Sequence, residues 1–451
     1  MMMIGRVIGP HATGIGTIAI ATFLLLEVFG ATLFSDALVQ YPALTKRHSS
    51  SAATVAVLLN LFLALGMAAA APFIASSTGS PEVVWLILAL TPMMPLAAFS
   101  GTASGLLLRE QRFRILALRL LLGQPLALAA GLTVAGIGYG PWAMVVNQMV
   151  ATTITFVLLL RGGGLQLRPR LDVAALRDLW PVAGPQVAGI AVHVGRYRLF
   201  LLALGFVVAQ SVLAVSHFAF RLLDAALAIV WQTIGRLSMP RLCALQDNRP
   251  AMAEAFGELA QLQALLGLPI AAGLALIAPD LVHGLLGPAW AGAASAAQIA
   301  GVAVMFTFLY GDYISLFVAV GKAKRNFYIA LGTLVLPMVA LVVVQPETPE
   351  QVALVWGAQC ILFAPGLTWL VLRELRRSPL WLLGKIAPGM VSTAAMAVVV
   401  MALENTLTLP PMGRVMAAVS GGGMVYVVVA WLTLGGRMPQ ALRQMALVRS
   451  A

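Results

Sequence analysis

Negative charge is what this chain has least of. Asp and Glu supply 16 of its 451 residues, and all charged types together reach 10%. Water-soluble domains carry roughly a quarter, so the soluble fold classes are excluded before any motif is read. Cysteine is almost absent: Cys243 lies in a loop and Cys360 in an apolar run, with no metal spacing and no disulfide framework. P-loop, GxSxG, HExxH and paired zinc-ligand patterns are missing as well. The polar breaks are too short to hold an ATPase or a glycosyltransferase domain. A membrane transporter is expected in place of an enzyme, with no cofactor and no resident metal. The opening residues, MMMIGRVIGPHATGIG, lack the charged region, apolar core and cleavage site of a signal peptide, so none is expected there.

What is abundant is apolar: 61% of the residues are hydrophobic. Runs of about 20 such residues recur, each long enough to cross a hydrocarbon layer of about 30 Å as a helix. They cover 13–34, 52–75, 82–107, 116–137, 139–160, 184–208, 211–235, 257–278, 294–319, 326–345, 350–372, 385–403 and 414–434. None alternates as a barrel strand would. The fold class is therefore an all-α polytopic membrane protein of about thirteen transmembrane helices.

The formal charge of +12 does not describe a nucleic-acid surface, because the 28 basic residues sit in short loops between the runs. They alternate strictly. All but Arg6, Arg414, Arg196, Arg198 and Arg221 fall in every second loop or in the tail, and the positive-inside rule makes that side cytoplasmic. This topology places the amino terminus outside, and the first residues look like a loop that follows an earlier helix. A fourteenth helix ahead of Met1 is thus expected.

The segment SGLLLREQRFRILALRLLLG (104–123) resembles LFVAVGKAKRNFYIALGTLV (316–335): both leave a helix into a basic turn and re-enter another. With the extra helix counted, the two turns lie six helices apart, which predicts two pseudo-repeated six-helix lobes followed by two further helices. The expected divisions are an amino-terminal lobe over 1–160, a cytoplasmic loop over 161–183, a second lobe over 184–372, and two helices with a tail over 373–451.

Ionisable residues far from any loop are the candidates for function: Glu27, His193, Arg196, Arg198, His217, Arg221, Asp224 and Asp312. A charge at the bilayer centre costs about 2.5 to 3.5 kcal/mol even on lenient scales, so the three arginines must face protein or water. Arg196 and His193 share a helix face, while Arg198 is turned about 200° from Arg196. One arginine is then free to line a cavity while the other pairs with a neighbouring helix, where Asp224 is the nearest plausible carboxylate. Arg221 and Asp224 form an i,i+3 pair that is either structural or part of a substrate or ion path. Glu27 and Asp312 are each open to three readings: a proton or sodium site, an arginine partner, or a protonated packing residue. Tyr310 and Tyr313 suit helix packing better than sugar stacking.

Several stretches resemble the bacterial polysaccharide and O-antigen oligosaccharide flippases of the multidrug/oligosaccharidyl-lipid/polysaccharide exporter superfamily. They are RVIGPHATGIGTIAIATFLL with FSDALVQYP, GIGYGPWAMVVNQM, SHFAFRLLDAALAIVWQTIGRLSMPRLCALQDN and APDLVHGLLGPAWAGAASAAQIAG. The resemblance implies a carrier in the bacterial inner membrane that moves a polyprenyl-pyrophosphate-linked oligosaccharide from the cytoplasmic to the periplasmic leaflet. It implies two lobes rocking about a basic cavity, with polymerase and glycosyltransferases as neighbours in the pathway. Where many relatives carry an acidic residue this chain has VGRYRLFLLALGF, so no acidic ion site is transferred there. Arg196, Arg198, Arg221 and His193 become the expected substrate contacts, and Glu27, Asp224 and Asp312 the expected ion-coupling or ion-pair residues. A proton or sodium gradient, or the membrane potential, would supply the driving force. A cation-coupled drug or metabolite antiporter, which would need an acidic cavity, and a non-transporting scaffold of polysaccharide assembly are the competing readings.

Overall fold

A computed structural model describes residues 2–162 and 169–436, without the side chains of 185–194. Among the described residues there is no strand, and twelve helical segments are long and apolar enough to cross a membrane. They coincide with twelve of the thirteen expected runs. The remaining run, 184–208, lies in a helix of 35 residues, Val173–Val207, except for its last residue, the C-cap Val208.

The chain divides into two compact units, Met1–Ala214 and Val215–Ala451. In the first unit the helices are α1 (Met2–Thr32), α2 (Ser35–Gln40), α3 (Lys46–Ser77), α4 (Val83–Leu90), α5 (Met93–Arg109), α6 (Phe113–Gly136), α7 (Trp142–Gly162) and α8 (Val173–Val207). The expected lobes meet within 161–183, but the compact division comes later. Asp172 accepts hydrogen bonds from the amides of Ala174 and Ala175 at 3.1 and 3.2 Å, which starts α8 eleven residues before the apolar run. Packing of α8 on α1, α2 and α3 then groups it with the first unit.

The centre of this unit is α1, which packs on α3 to α8. Its small residues allow backbones to touch, as is usual where helices associate in lipid. A Cβ at Gly14 would fall 1.9 Å from the Gln210 carbonyl oxygen, and one at Gly101 of α5 would fall 1.8 Å from that of Ala31. The segment expected as a loop before residue 13 is helical too. Gly9, at φ 79°, and Pro10 break it from the main span without ending it.

The second unit holds most of α9 (Gln210–Cys243), then α10 (Arg249–Leu286), α11 (Gly292–Met305), α12 (Tyr313–Ala319), α13 (Lys324–Val344), α14 (Pro349–Leu375), α15 (Pro379–Thr406) and α16 (Pro411–Thr433). Here α10 is central and packs on α11, α14, α15 and α16. Its Phe256 and Leu259 join Phe308, Leu316 and Val371 in the core. The run expected as one span over 294–319 is interrupted between α11 and α12. Gly311 has φ 68°, and a Cβ there would meet the Phe256 ring at 2.6 Å, so the break is seated directly on α10. Unwound backbone at membrane depth survives only where protein or water satisfies it.

Three helices end in the same way on the basic side. After α5, α12 and α14 a residue with positive φ (Gln111, Gly321 and Arg376) is followed by an amide bonded to the carbonyl five residues back: Arg112 to Leu107 at 2.9 Å, Lys322 to Phe317 at 2.7 Å and Arg377 to Leu372 at 3.1 Å.

Candidate functional site

Two groups of charges lie at membrane depth, one in each unit. In the first, α8 lies along α1, and the Arg198 guanidinium donates to the Leu24 carbonyl. Glu27, less than one helical turn further along α1, lies within electrostatic reach of the same guanidinium. Both side chains are half-buried. The carboxylate acting on Arg198 is thus Glu27, where the sequence reading had suggested Asp224. The reason is packing: hydropathy places each helix in the bilayer but does not say which helices touch. Arg196, two residues away, is rotated about 200° from that contact. It is half-buried and engaged by a neighbouring group. The side chain of His193 lies outside the described residues.

The second group is on α9. One face of that helix is packed, with Phe218 buried and its ring 4.4 Å from that of Trp290. The helix also carries His217, Arg221, Asp224, Gln232 and Arg236. At 100° per residue these five span about 120° of the helix. His217 is half-buried and within electrostatic reach of Arg221. Arg221, Asp224, Gln232 and Arg236 are all exposed. A polar stripe thus runs from the middle of the span to its basic end. Facing lipid, Arg221 and Asp224 would each cost about 2.5 to 3.5 kcal/mol at the bilayer centre. The charged groups suit water, and the exposed apolar Ile229 and Trp231 flank them.

Asp312 has a different environment. It caps α12, accepting from the Ser315 amide at 3.2 Å and the Ser315 hydroxyl at 2.6 Å. Among the described residues no cation forms a salt bridge with it. Tyr310 is buried and meets Tyr313 edge-on at 5.7 Å, with Phe317 beyond. No group of His, Cys, Asp and Glu that could hold a metal occurs among the described residues.

Other charged contacts lie near the membrane faces. Arg414, an exception to the charge bias at the start of α16, is paired with Asp280 of α10. Arg241 of α9 is paired with Glu258 of α10. Arg119 of α6 reaches across to the Ser104 hydroxyl of α5 at 2.8 Å. On the basic side Glu374 gathers Arg249, Lys322 and Arg325 at 3.0, 2.7 and 3.1 Å. The sequence reading passed over Glu374. Its signal was a lone carboxylate among basic loop residues, which repulsion would otherwise drive apart.

In sequence and in fold the chain is similar to several known proteins. A family described as "Polysaccharide biosynthesis protein" matches residues 3–295. The succinoglycan biosynthesis transport protein ExoT of Rhizobium meliloti (strain 1021) is 23% identical over 453 residues, covering 96% of this chain and 88% of that protein. Among solved structures, the lipid II flippase MurJ in an inward closed conformation superposes with a TM-score of 0.78 at 13% identity, covering 96% of both chains. An inward-facing multidrug-resistance MATE transporter of the MOP superfamily gives 0.68 at 15% identity, over 83% of this chain and 93% of that one.

Proposed function

Because the chain belongs to the polysaccharide biosynthesis protein family, we propose that it is a flippase carrying a polyprenyl-pyrophosphate-linked oligosaccharide from the cytoplasmic to the periplasmic leaflet. The observation that carries this reading is the exposed polar stripe on α9, with Arg221 and Asp224 at its centre. Each sugar hydroxyl taken into hydrocarbon without a partner costs several kcal/mol, of the order of 2 to 7. An oligosaccharide therefore crosses only along a hydrated, hydrogen-bonding surface. The polyprenyl tail needs no such surface and stays in lipid.

Arginine suits the pyrophosphate, because its planar fork donates two parallel hydrogen bonds to an oxyanion. In this reading Arg221 is the candidate anion contact of the second unit, and Arg196 and Arg198 are those of the first. Glu27 lies within electrostatic reach of Arg198, leaving Arg196 as the second positive charge on that stretch of α8. An inside-negative potential favours outward movement of the anion by about 2.3 kcal/mol per charge per 100 mV, so ATP is not required. Glycosyltransferases would supply the substrate and a polymerase would consume it. The similarity to succinoglycan transport protein ExoT supports this reading over a cation antiporter, whose cargo would be repelled by the arginines.

Complementation of a flippase-deficient strain tests the reading, with membrane abundance followed by immunoblot. The unaltered chain should restore polymer export. Arg221→Gln should reduce it by about tenfold, the loss expected for one hydrogen bond to a charged group. Full export by Arg221→Gln and Arg198→Gln at equal abundance would overturn the assignment.

A further inference from the structure

At the basic end of the second unit, where α14 passes into α15, a pocket of about 380 Å³ is lined by Pro365, Thr368, Trp369, Arg373, Arg376 and Arg377, with Leu372 and Pro379 completing its wall. Three of these residues are arginines, and none is a carboxylate. Arg373 lies over the Trp369 ring, 5.2 Å from its centroid. Arg377 is fixed from below by Glu254 at 3.0 Å and by the Trp381 ring at 5.4 Å. Neither Arg373 nor Arg376 has a salt-bridge partner among the described residues; nearby Glu374 is taken up by Arg249, Lys322 and Arg325.

The positive-inside rule accounts for basic residues at this level, but not for how these are arranged. Arg376 occupies the left-handed position that ends α14, at φ 52°, where glycine is the usual residue. The equivalent position after α12 is Gly321. An L-residue held there is strained, as Gln111 is at φ 54° after α5. The wall below the arginines is apolar: Trp369 is exposed, as is Pro365, on the side of α14 toward the hydrocarbon. An interfacial tryptophan beneath a cluster of cations matches a molecule with an anionic head and a hydrocarbon body.

We propose that this pocket binds an anionic phospholipid of the cytoplasmic leaflet. The phosphodiester would lie between Arg373 and Arg376, Arg377 would close the third side, and the upper acyl chain would run down over Trp369 and Pro365. The site involves none of the charges assigned to transport, so it stands whether or not the chain moves a sugar lipid.

The test is native mass spectrometry of the full-length protein, titrated with phosphatidylglycerol, with phosphatidylcholine, and with phosphatidylglycerol in the presence of inorganic phosphate. Phosphatidylglycerol should bind in preference to phosphatidylcholine and resist displacement by inorganic phosphate. Arg376→Gly should fold normally, since glycine relieves the left-handed strain, yet lose phosphatidylglycerol affinity by about fivefold, the equivalent of about 1 kcal/mol per basic residue at an anionic surface. Adding Arg373→Gln should bring the loss to roughly twenty-five-fold. Lys324→Gln, which removes a charge from the same face outside the pocket, should change nothing. An equal loss with Lys324→Gln, an unaltered affinity in the double variant, or displacement by inorganic phosphate would overturn the proposal.

Discussion

The turn between α5 and α6 and the turn between α12 and α13 close with the same backbone hydrogen bonds, yet they secure their basic side chains by different means. In the first, the Arg109 guanidinium spreads over the end of α2, donating to the carbonyls of Leu38 at 3.1 Å, Val39 at 3.3 Å, Tyr41, and Pro42 at 2.9 Å. The Leu38 and Val39 oxygens are orphan acceptors of the α2 terminus, whose partial negative charge favours a cation, and Tyr41 and Pro42 follow it. In the second, Lys322 and Arg325 converge with Arg249 on Glu374, whose side chain is 8% exposed while the cations are 41 to 47% exposed. One turn depends on the shape of a guanidinium; the other depends on a single negative charge. Similar backbone and similar basic character therefore conceal two different points of failure.

The largest effect should come from that negative charge. Glu374→Gln leaves three cations facing one another and is expected to lower stability by about 2 to 3 kcal/mol, less than a fully buried pair because the cations reach water. A fall in melting temperature in detergent, partly recovered when Lys322→Gln is added, would confirm it. Next is the fork of Arg109. Arg109→Lys keeps the charge but loses the spread of donors, and should cost about 1.5 kcal/mol, whereas a lysine at 322 replaced by arginine should be nearly neutral. The backbone comparison is sharper still. Gly321→Ala places a Cβ at φ 72° and should cost about 1 kcal/mol. Gln111→Gly removes the corresponding strain at φ 54° and should leave stability unchanged or raise it by about 0.5 kcal/mol. If both glycine exchanges shifted melting in the same direction, the equivalence of the two turns would fail.

Much of the fold was legible because lipid imposes a simple rule. Every backbone polar group needs an internal partner, so each apolar run of sufficient length becomes a helix, and twelve of the expected runs coincide with membrane-length helices. The two basic turns that resemble each other in sequence close with the same backbone bonds, as does the end of α14. What hydropathy could not give was the partner of each charge. Glu27 and Arg198 are 171 residues apart, and only the packing of α8 against α1 brings them together. Asp312 looked like an intramembrane acid because the apolar run continues on both sides of it. The clue to its capping role was local: Gly311 permits the break, and Ser315 stands three residues on, where a cap finds its amide. Arg414 looked like an anomaly in the charge bias until Asp280 appeared beside it.

The central claim concerns the cargo of the α9 face, and reconstituted transport addresses it most directly. Proteoliposomes holding the full chain, loaded with a polyprenyl-pyrophosphate-linked oligosaccharide and placed under a defined membrane potential, should move the sugar between leaflets at a rate that rises with the potential. Arg221→Gln should slow that movement without altering the amount of protein inserted. Potential-independent movement identical in Arg221→Gln, or export of a cationic drug with no movement of the sugar lipid, would contradict the account.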